Sequence, residues 1–364
     1  MKDCIYIAGP ECFYIDGNDR LNAMRRRSES LGFDVSLPND KPLKLDNEDL
    51  RLNADTIFEN CAESMNRSTA IIVDLEFYRG PEADGGSVYE IGMAYARGIR
   101  CFGYTRDKRN MVWKYQGLCL KNGKVYDRKG RLLPYQDLPF SPNVVGSTVI
   151  IEGDYDDCLQ ALIRDIEHER VLRGQGLTQP AVSTERTLQA QQPVVFLAGP
   201  ERYEQNAAEI YDRMKALCRE KGLLPICPLD DAPGMERIES DDPYVRASNT
   251  FLHNQQHVRN CDIVIANLND FHGWEPESDT SFECGMGYQL GKKLYGFMDD
   301  TRIMKERVPH LGGPENRDAC GCNVENFDYP LNLMFSSSMP IYEGNFETIL
   351  ERVVADLKEK GVLA

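Results

Sequence analysis

Two glutamates stand in segments of small residues where a carboxylate could act on a ligand. Glu90 closes the segment DGGSVYE, residues 84–90, and Glu283 closes ESDTSFE, residues 277–283. Each segment follows a predicted strand and loop and leads into a predicted helix, and small residues there let the backbone approach a ligand closely. A carboxylate in this position could attack an electrophilic carbon as a nucleophile. Alternatively, it only complements the positive end of the helix dipole.

The two glutamates belong to two copies of one longer pattern. CIYIAGPECF near the start of the chain returns as VVFLAGPERY after residue 193, and each copy continues to its glutamate at nearly the same distance. Agreement in order, spacing and residue type indicates a tandem duplication. We therefore predict one domain over 1–173, a second over 194–364, and a polar linker over 174–193.

Short apolar runs separated by helical segments must position these residues. The runs read IYIAG, AIIVDL and CFGYT in the first copy, and VVFLAG, DIVIANL and LYGFM in the second. Such runs are typical of parallel strands covered on both faces. The alternation predicts an α/β fold: two tandem doubly wound domains, flavodoxin- or Rossmann-like, each with a mainly parallel sheet of about five strands. Ligands are then expected at the carboxyl ends of the strands.

Composition narrows the possible partners. The formal net charge is −16 and the isoelectric point about 4.9, so phosphate backbones and anionic lipids are repelled, and neither nucleic acid nor a membrane is an expected partner. The N-terminus lacks the pattern of a signal peptide, and no apolar run is long enough to span a bilayer.

The cysteines suggest a cytoplasmic protein. Twelve of them are scattered over both copies without a recurring framework, which favours reduced thiols. Cys320 and Cys322 form a lone C-x-C without a second pair or a nearby histidine, which favours a structural role over zinc binding. We expect neither a metal nor a cofactor.

Several motifs together resemble the nucleoside 2-deoxyribosyltransferase family. They are AGP after the first strand, a strand ending in VDL or ANL, and the segment that ends in Glu-x-Gly. RNMVWKYQG at 109–117 and YPLNLMF at 329–335 extend the likeness over nearly all of both copies. The resemblance implies transfer of a 2-deoxyribosyl group between nucleobases, through a covalent glycosyl-glutamate, in nucleotide salvage. The expected partners are a deoxyribonucleoside and a free nucleobase.

The resemblance also assigns roles within each copy. Glu90 and Glu283 would be the nucleophiles, and Tyr6 would orient Glu90, whereas the second copy has Phe196 at that position. Asp84 would bind the sugar hydroxyls beside Gly86 of the glycine-rich segment, where the second copy offers Glu277 and Asp279. Asn254 would handle the leaving base in the second copy, while Cys61, a weak hydrogen-bond donor, takes that place in the first.

Further residues are implied to act across the two copies or against the base. In this family an Asn-x-Met segment reaches into the neighbouring pocket. Asn332 and Met334 match it and would complete the Glu90 site, while Asn143 and Val145 would complete the Glu283 site. The chain would then form an intramolecular pseudo-dimer, with further homo-oligomers possible. Four aromatic residues in loops could stack on a base or belong to the core: Phe13, Tyr78, Tyr203 and Phe271.

Two other functions remain open at this point. A related hydrolase would cleave deoxynucleosides or their 5′-monophosphates with water as the acceptor, but a carboxylate at Asp84 or Glu277 repels a nearby phosphate. The alternative of another class is a catalytically silent nucleoside sensor, which the changes at Cys61 and Phe196 favour.

Overall fold

The computed structural model describes residues 2–40, 43–174, 192–312 and 316–363. Most of the predicted linker, residues 175–191, lies outside the described residues, and the predicted domain boundaries stay predictions. In the first half the elements are strands β1 Cys4–Ala8, β2 Asp34–Ser36, β3 Ala70–Asp74, β4 Arg100–Thr105, β5 Cys119–Lys121, β6 Lys124–Tyr126 and β7 Val149–Glu152, and helices α1 Gly17–Ser30, α2 Leu50–Arg67, α3 Gly85–Ala96, α4 Pro142–Ser147 and α5 Tyr155–Gly174.

Over the described residues the second half repeats this order, with the short helix α9, Met304–Arg307, where the first half has the β5–β6 hairpin. Its strands are β8 Val194–Ala198, β9 Leu224–Ile226, β10 Ile263–Asn267, β11 Lys293–Met298 and β12 Ile341–Glu343. Its helices are α6 Ala207–Glu220, α7 Pro243–Asn260, α8 Ser278–Gln289, α9 Met304–Arg307, α10 Leu333–Ser336 and α11 Phe346–Glu359. Short 3₁₀ turns follow β1 and β8, at Pro10–Phe13 and Pro200–Tyr203.

Each half contains one five-stranded parallel sheet. The strand orders are β2-β1-β3-β4-β7 and β9-β8-β10-β11-β12, which are the same order in the two halves. The central strands are buried on both faces, as expected for parallel strands between helical layers. This confirms the predicted fold class, two tandem doubly wound α/β domains. The strand order reverses between β1 and β3, and between β8 and β10, where such folds bind ligands.

Helices α3 and α8 form the main contact between the halves, and two glycines allow it. A Cβ atom on Gly285 would lie 1.9 Å from the Tyr89 carbonyl oxygen, and one on Gly92 would lie 2.1 Å from that of Phe282. The helix backbones therefore touch without intervening side chains. One apolar cluster continues through this contact, with Tyr89 of the first half and Phe335 of the second packed edge to face, their centroids 5.3 Å apart.

Two polypeptide segments cross from one half to the other. The segment after β4 carries the β5–β6 hairpin and ends in α4, which packs on α7 and α8. The segment after β11 ends in α10, which packs on α2 and α3. This is the exchange that the sequence predicts for Asn143 and Asn332.

Two further observations concern the cysteines and the helices. All twelve cysteines are free, and over the described residues no group of three or more His, Cys, Asp or Glu side chains could hold a metal ion. Within the same residues every helix is too short or too polar to cross a bilayer.

The close contact between α3 and α8 predicts that Gly285→Ala destabilises the protein strongly. The added methyl group would meet backbone that can move only with its helix, and overpacking of this kind typically costs about 1–3 kcal/mol. Gly287→Ala is the matched control in the same helix, because its Cβ would meet only side-chain atoms, of which Leu294 Cδ2 is nearest at 2.9 Å. Differential scanning calorimetry should show a lower Tm for Gly285→Ala than for Gly287→Ala. Equal Tm values for the two variants would contradict the backbone contact.

Candidate functional site

A cavity of about 420 Å³ opens at the carboxyl end of the first sheet, beside the start of α3. It lies over the switch point between β1 and β3. Glu90, from α3, is 6% exposed and lines this cavity. The acidic residues that line it are Asp84, Glu90 and Glu325, and among the described lining residues there is no lysine or arginine. The cavity therefore suits a neutral ligand better than an anion.

Tyr6 and Glu90 form the central contact of this site. The Tyr6 hydroxyl, on buried β1, donates a hydrogen bond of 2.5 Å to Glu90 Oε1. Burial raises the pKa of Glu90 to about 8, and the hydrogen bond from Tyr6 acts in the opposite direction. Burial also raises the pKa of the Cys61 thiol, and the nearby Glu90 charge adds to that increase. Cys61 lines the cavity close to both residues, at the place that the sequence analysis gives to base recognition.

Asp84 caps α3 and keeps one oxygen for other contacts. Its Oδ2 accepts from the Ser87 amide at 2.8 Å and from the Ser87 hydroxyl at 2.6 Å. Its Oδ1 is buried and has no hydrogen-bond partner among the described residues. Burial raises the pKa of Asp84, although the two Ser87 contacts oppose the shift. A ligand hydroxyl at this position could donate to the free Oδ1.

The second half completes the cavity. Asn332 lies against Gly86 so closely that a Cβ on this glycine would be 2.8 Å from the amide nitrogen and oxygen of Asn332. Asn332 Oδ1 accepts from the Met334 amide at 2.9 Å, and Leu333 and Met334 line the cavity with it. Position 86 therefore requires glycine, because any larger side chain would collide with Asn332 of the other half.

Sequence reasoning missed two acidic side chains from the second half. Glu325 lines the cavity, and its buried carboxylate oxygens have no hydrogen-bond partner within the described part of the chain. Burial raises its pKa to about 8. Glu275 Oε2 would lie 3.0 Å from a Cβ on Gly85, and its Oε1 accepts from Arg79 at 3.3 Å. Both residues come from irregular loops, where no periodic pattern marks a residue in advance.

Of the four predicted aromatic residues, two line the cavities over the sheets and two belong to the core. Phe13 lines the Glu90 cavity and stacks on Tyr78, with ring centroids 5.5 Å apart. Tyr78 is 2% exposed and lies behind Phe13 under the Arg79 guanidinium, 4.5 Å from its centroid. Tyr203 and Phe271 form the corresponding pair at 5.7 Å, in which Phe271 is 1% exposed. Of these four residues, only Phe13 and Tyr203 line the cavities over the two sheets.

The corresponding glutamate of the second half is held in a different environment. Arg202 Nη1 and Nη2 donate to the two oxygens of Glu283 at 2.9 and 2.7 Å, and Asn143 Nδ2 donates to Oε1 at 3.3 Å. Burial raises the pKa of Glu283, and the Arg202 charge opposes the shift. Phe196, which replaces the tyrosine, offers no hydroxyl. The lone pairs of this carboxylate are occupied by a bidentate ion pair.

A second cavity, of about 500 Å³, lies over this half but does not include Glu283 among its lining residues. Asn254 lines it and donates to Asn143 Oδ1 at 3.1 Å. Glu277 caps α8 by accepting from the amides of Asp279 and Thr280. Asp279 lines the cavity, and burial raises its pKa to about 8.

Arg202 was not singled out from the sequence, although a signal was present. Aligning the two AGP segments places Arg202 opposite Cys12 and Phe196 opposite Tyr6. The second copy thus lost a neutral donor and gained a cation within one short segment. Together, these two differences indicate that the glutamate of the second copy forms a salt bridge where that of the first copy accepts a hydrogen bond.

Comparison with known proteins gives two matches to one sequence family within the chain. The model of the nucleoside 2-deoxyribosyltransferase family matches residues 5–136 and again residues 195–334, which confirms the tandem duplicate. An uncharacterized protein of Schizosaccharomyces pombe is 31% identical over 119 residues, which are 32% of this chain and 54% of that protein. The chain thus matches about half the length of this curated relative.

Two solved structures are similar to single halves of the chain. A 2-desoxiribosyltransferase from Leishmania mexicana has 30% identity and a TM-score of 0.36, over 45% of this chain and 97% of that one. A CMP N-glycosidase from Clostridium botulinum has 16% identity and a TM-score of 0.23, over 44% of this chain and 97% of that one.

The contact between Tyr6 and Glu90 predicts the direction of a pKa change. The hydrogen bond stabilises the ionised carboxylate, so Tyr6→Phe should raise the Glu90 pKa above its value of about 8. NMR titration of ¹³C-labelled glutamate side chains, with Glu90→Gln to assign the signal, measures this shift. Phe196→Tyr, the reciprocal change in the other half, should leave the Glu90 signal where it is. An unchanged or lower Glu90 pKa in Tyr6→Phe would show that the hydrogen bond does not act on the ionised form.

Proposed function

We propose, for a chain that belongs to the nucleoside 2-deoxyribosyltransferase family, that the Glu90 cavity transfers a 2-deoxyribosyl group between nucleobases. The observation that carries the proposal is the carboxylate of Glu90, which faces a cavity and is held by a single neutral donor, Tyr6. A carboxylate with lone pairs free can attack a sugar carbon. The supporting chemistry is that of retaining glycosyl transfer with a carboxylate nucleophile.

The proposed reaction has two displacements. Glu90 Oε2, the oxygen not bonded to Tyr6, attacks the anomeric carbon as the bond from that carbon to the base nitrogen breaks, and the electron pair leaves with the base. A second base then attacks the same carbon from the side vacated by the first base, and the carboxylate leaves. The attack requires ionised Glu90, so its raised pKa makes kcat/KM increase as the pH rises through about 8 and level off above that value.

Groups around Glu90 support a neutral nucleoside as the substrate. The free Asp84 Oδ1 can accept from a sugar hydroxyl, and Phe13 offers an aromatic face to a base. No lysine or arginine among the described lining residues could hold a 5′-phosphate, and ionised Asp84 would repel one. We therefore expect deoxynucleosides to be better substrates than their monophosphates in kcat/KM.

We place the reaction in the first cavity alone. The family resemblance implies nucleophiles at both Glu90 and Glu283, but Arg202 and Asn143 engage the Glu283 carboxylate, which does not line the second cavity. Attack by Glu283 would require loss of a buried ion pair, which typically costs about 3–5 kcal/mol when one partner is left alone. With free cysteines throughout, we further propose a cytoplasmic role in nucleotide salvage.

Incubation with 2′-deoxyinosine tests the proposed function. Product that forms only when free adenine is added supports transfer, whereas release of hypoxanthine without an acceptor supports hydrolysis, and absence of turnover supports a binding protein. The same assay separates the two glutamates. Glu90→Ala should abolish turnover, because the nucleophile is lost, and Glu283→Ala should retain most of it. Equal losses in the two variants would contradict a single catalytic centre.

Residues of both halves line the Glu90 cavity, so a change at Asn332, which is far from Glu90 in sequence, should lower activity. Asn332→Ala should lower kcat/KM by roughly 10- to 100-fold, because misplacement of groups around a nucleophile by about 1 Å has effects of this size. Asn143→Ala, the matched change in the other crossing segment, should leave kcat/KM nearly unchanged in steady-state assays. Circular dichroism establishes that both variants are folded. A larger loss in Asn143→Ala than in Asn332→Ala would contradict the proposal, because it would indicate that the reaction takes place at Glu283.

A further inference from the structure

The second cavity is still a ligand-sized space although its glutamate is occupied elsewhere. It holds about 500 Å³ between the two halves. Much of its wall is apolar, from Leu132, Leu133, Leu138, Pro142 and Ala247. Its volume lies within the range of cavities that hold small ligands, and it opens to solvent, so a ligand could enter it.

One buried polar group in this cavity lacks a partner. Asn254 is 1% exposed, and its Nδ2 donates to Asn143 while its Oδ1 has no hydrogen-bond partner among the described residues. Leaving a buried acceptor unpaired costs about 1–3 kcal/mol. Asn254 lines the cavity, so an N–H group of a bound ligand could supply the missing bond. A planar base with an exocyclic amino or ring N–H group fits this position between apolar walls.

The two cavities differ in the charged side chains that line them. The Glu90 cavity is lined by Asp84, Glu90 and Glu325, whereas the second cavity is lined by Lys124, Arg202, Arg237 and Arg246 against Asp137 and Asp279. Arg202 is committed to Glu283 at the base of the site. The other three cations are exposed: Lys124 lies in the β5–β6 hairpin, Arg237 in the loop before α7, and Arg246 in α7. Arg237 lies 3.1 Å from Asp231 and Arg246 lies 3.7 Å from Asp137, and exposed ion pairs of this kind are weak enough for an anionic ligand to compete for the arginines. In a chain with a net charge of −16, these cations are the groups that would attract an anion to the mouth of the cavity.

We propose that the second cavity binds a nucleoside monophosphate without reacting with it. Its base would lie against Asn254 and its phosphate at the mouth, near Lys124 and Arg246. No covalent step follows, since Glu283 does not reach the cavity. Binding in the second cavity does not depend on the reaction proposed for Glu90, so either can fail without the other.

Isothermal titration calorimetry with 2′-deoxyadenosine 5′-monophosphate tests the proposal on the full chain. Lys124→Ala should weaken binding on the order of tenfold, or about 1.4 kcal/mol. Lys121→Ala is the matched control, since Lys121 is the register partner of Lys124 in the same hairpin, is also exposed, and does not line the cavity. 2′-Deoxyadenosine and inorganic phosphate, titrated separately, should each bind more weakly than the monophosphate.

A second variant locates the binding independently of charge. Thr250→Trp places an indole in the second cavity, and it should abolish monophosphate binding while deoxynucleoside turnover stays at the wild-type rate. Glu90→Ala should leave monophosphate binding unchanged. The proposal is overturned if the monophosphate does not bind, if Lys121→Ala weakens binding as much as Lys124→Ala, if deoxyadenosine binds equally well, or if Glu90→Ala rather than Thr250→Trp removes binding.

Discussion

The backbone contact between α3 and α8 is the constraint on which both cavities depend. Each helix carries a glutamate two residues before the glycine at the contact, at Gly92 and Gly285, and a methyl group at either glycine would meet a carbonyl oxygen of the partner helix. This close approach brings α10 of the second half against α3 and α4 of the first half against α8. Asn332 and Asn143 can then reach the opposite glutamate helix. Neither cavity is complete within one copy of the repeat.

The same scaffold gives its two glutamates different chemistry. In one half a neutral phenol donates to the carboxylate and leaves the second oxygen available, whereas in the other half a guanidinium engages both oxygens. A bidentate pair neutralises the carboxylate and occupies its lone pairs, so its reactivity falls even though its position in the helix is unchanged. Duplication within one chain permits such divergence, because a substitution changes one site and leaves its counterpart intact. The cavities also differ in their lining, because lysine and arginine side chains line the second cavity and none of the described residues that line the Glu90 cavity is a lysine or arginine.

Much of the architecture could be predicted because it depends on local sequence patterns. Continuous apolar runs specify parallel strands, and the repeat specifies that both sheets share one strand order. The likeness of YPLNLMF to a family segment drew attention to Asn332, and the structure places this residue in the lining of the Glu90 cavity. These inferences rest on periodicity and motif, which are preserved in a linear sequence.

The features that could not be predicted depend on the direction of long side chains and on irregular loops. Arg202 reaches Glu283 only because the turn after β8 directs it inward, and no periodicity encodes that direction. Glu275 and Glu325 approach Asp84 from loops far away in sequence, so that their burial follows from tertiary packing alone. Tyr78 and Phe271, expected as possible base-stacking residues, were ambiguous because aromatic side chains serve cores and ligand walls equally well. Their placement behind Phe13 and Tyr203 follows from the packing of each pair.

We propose that one chain holds one nucleophile, Glu90, in a cavity made by both halves. Peptide mass mapping after incubation with a 2′-fluoro-arabino nucleoside tests it directly, because the fluorine destabilises a positively charged transition state and slows release of the sugar from the enzyme. The account predicts a single fluoro-sugar adduct per chain, on the peptide that contains Glu90. An adduct on Glu283, alone or together with Glu90, would contradict it.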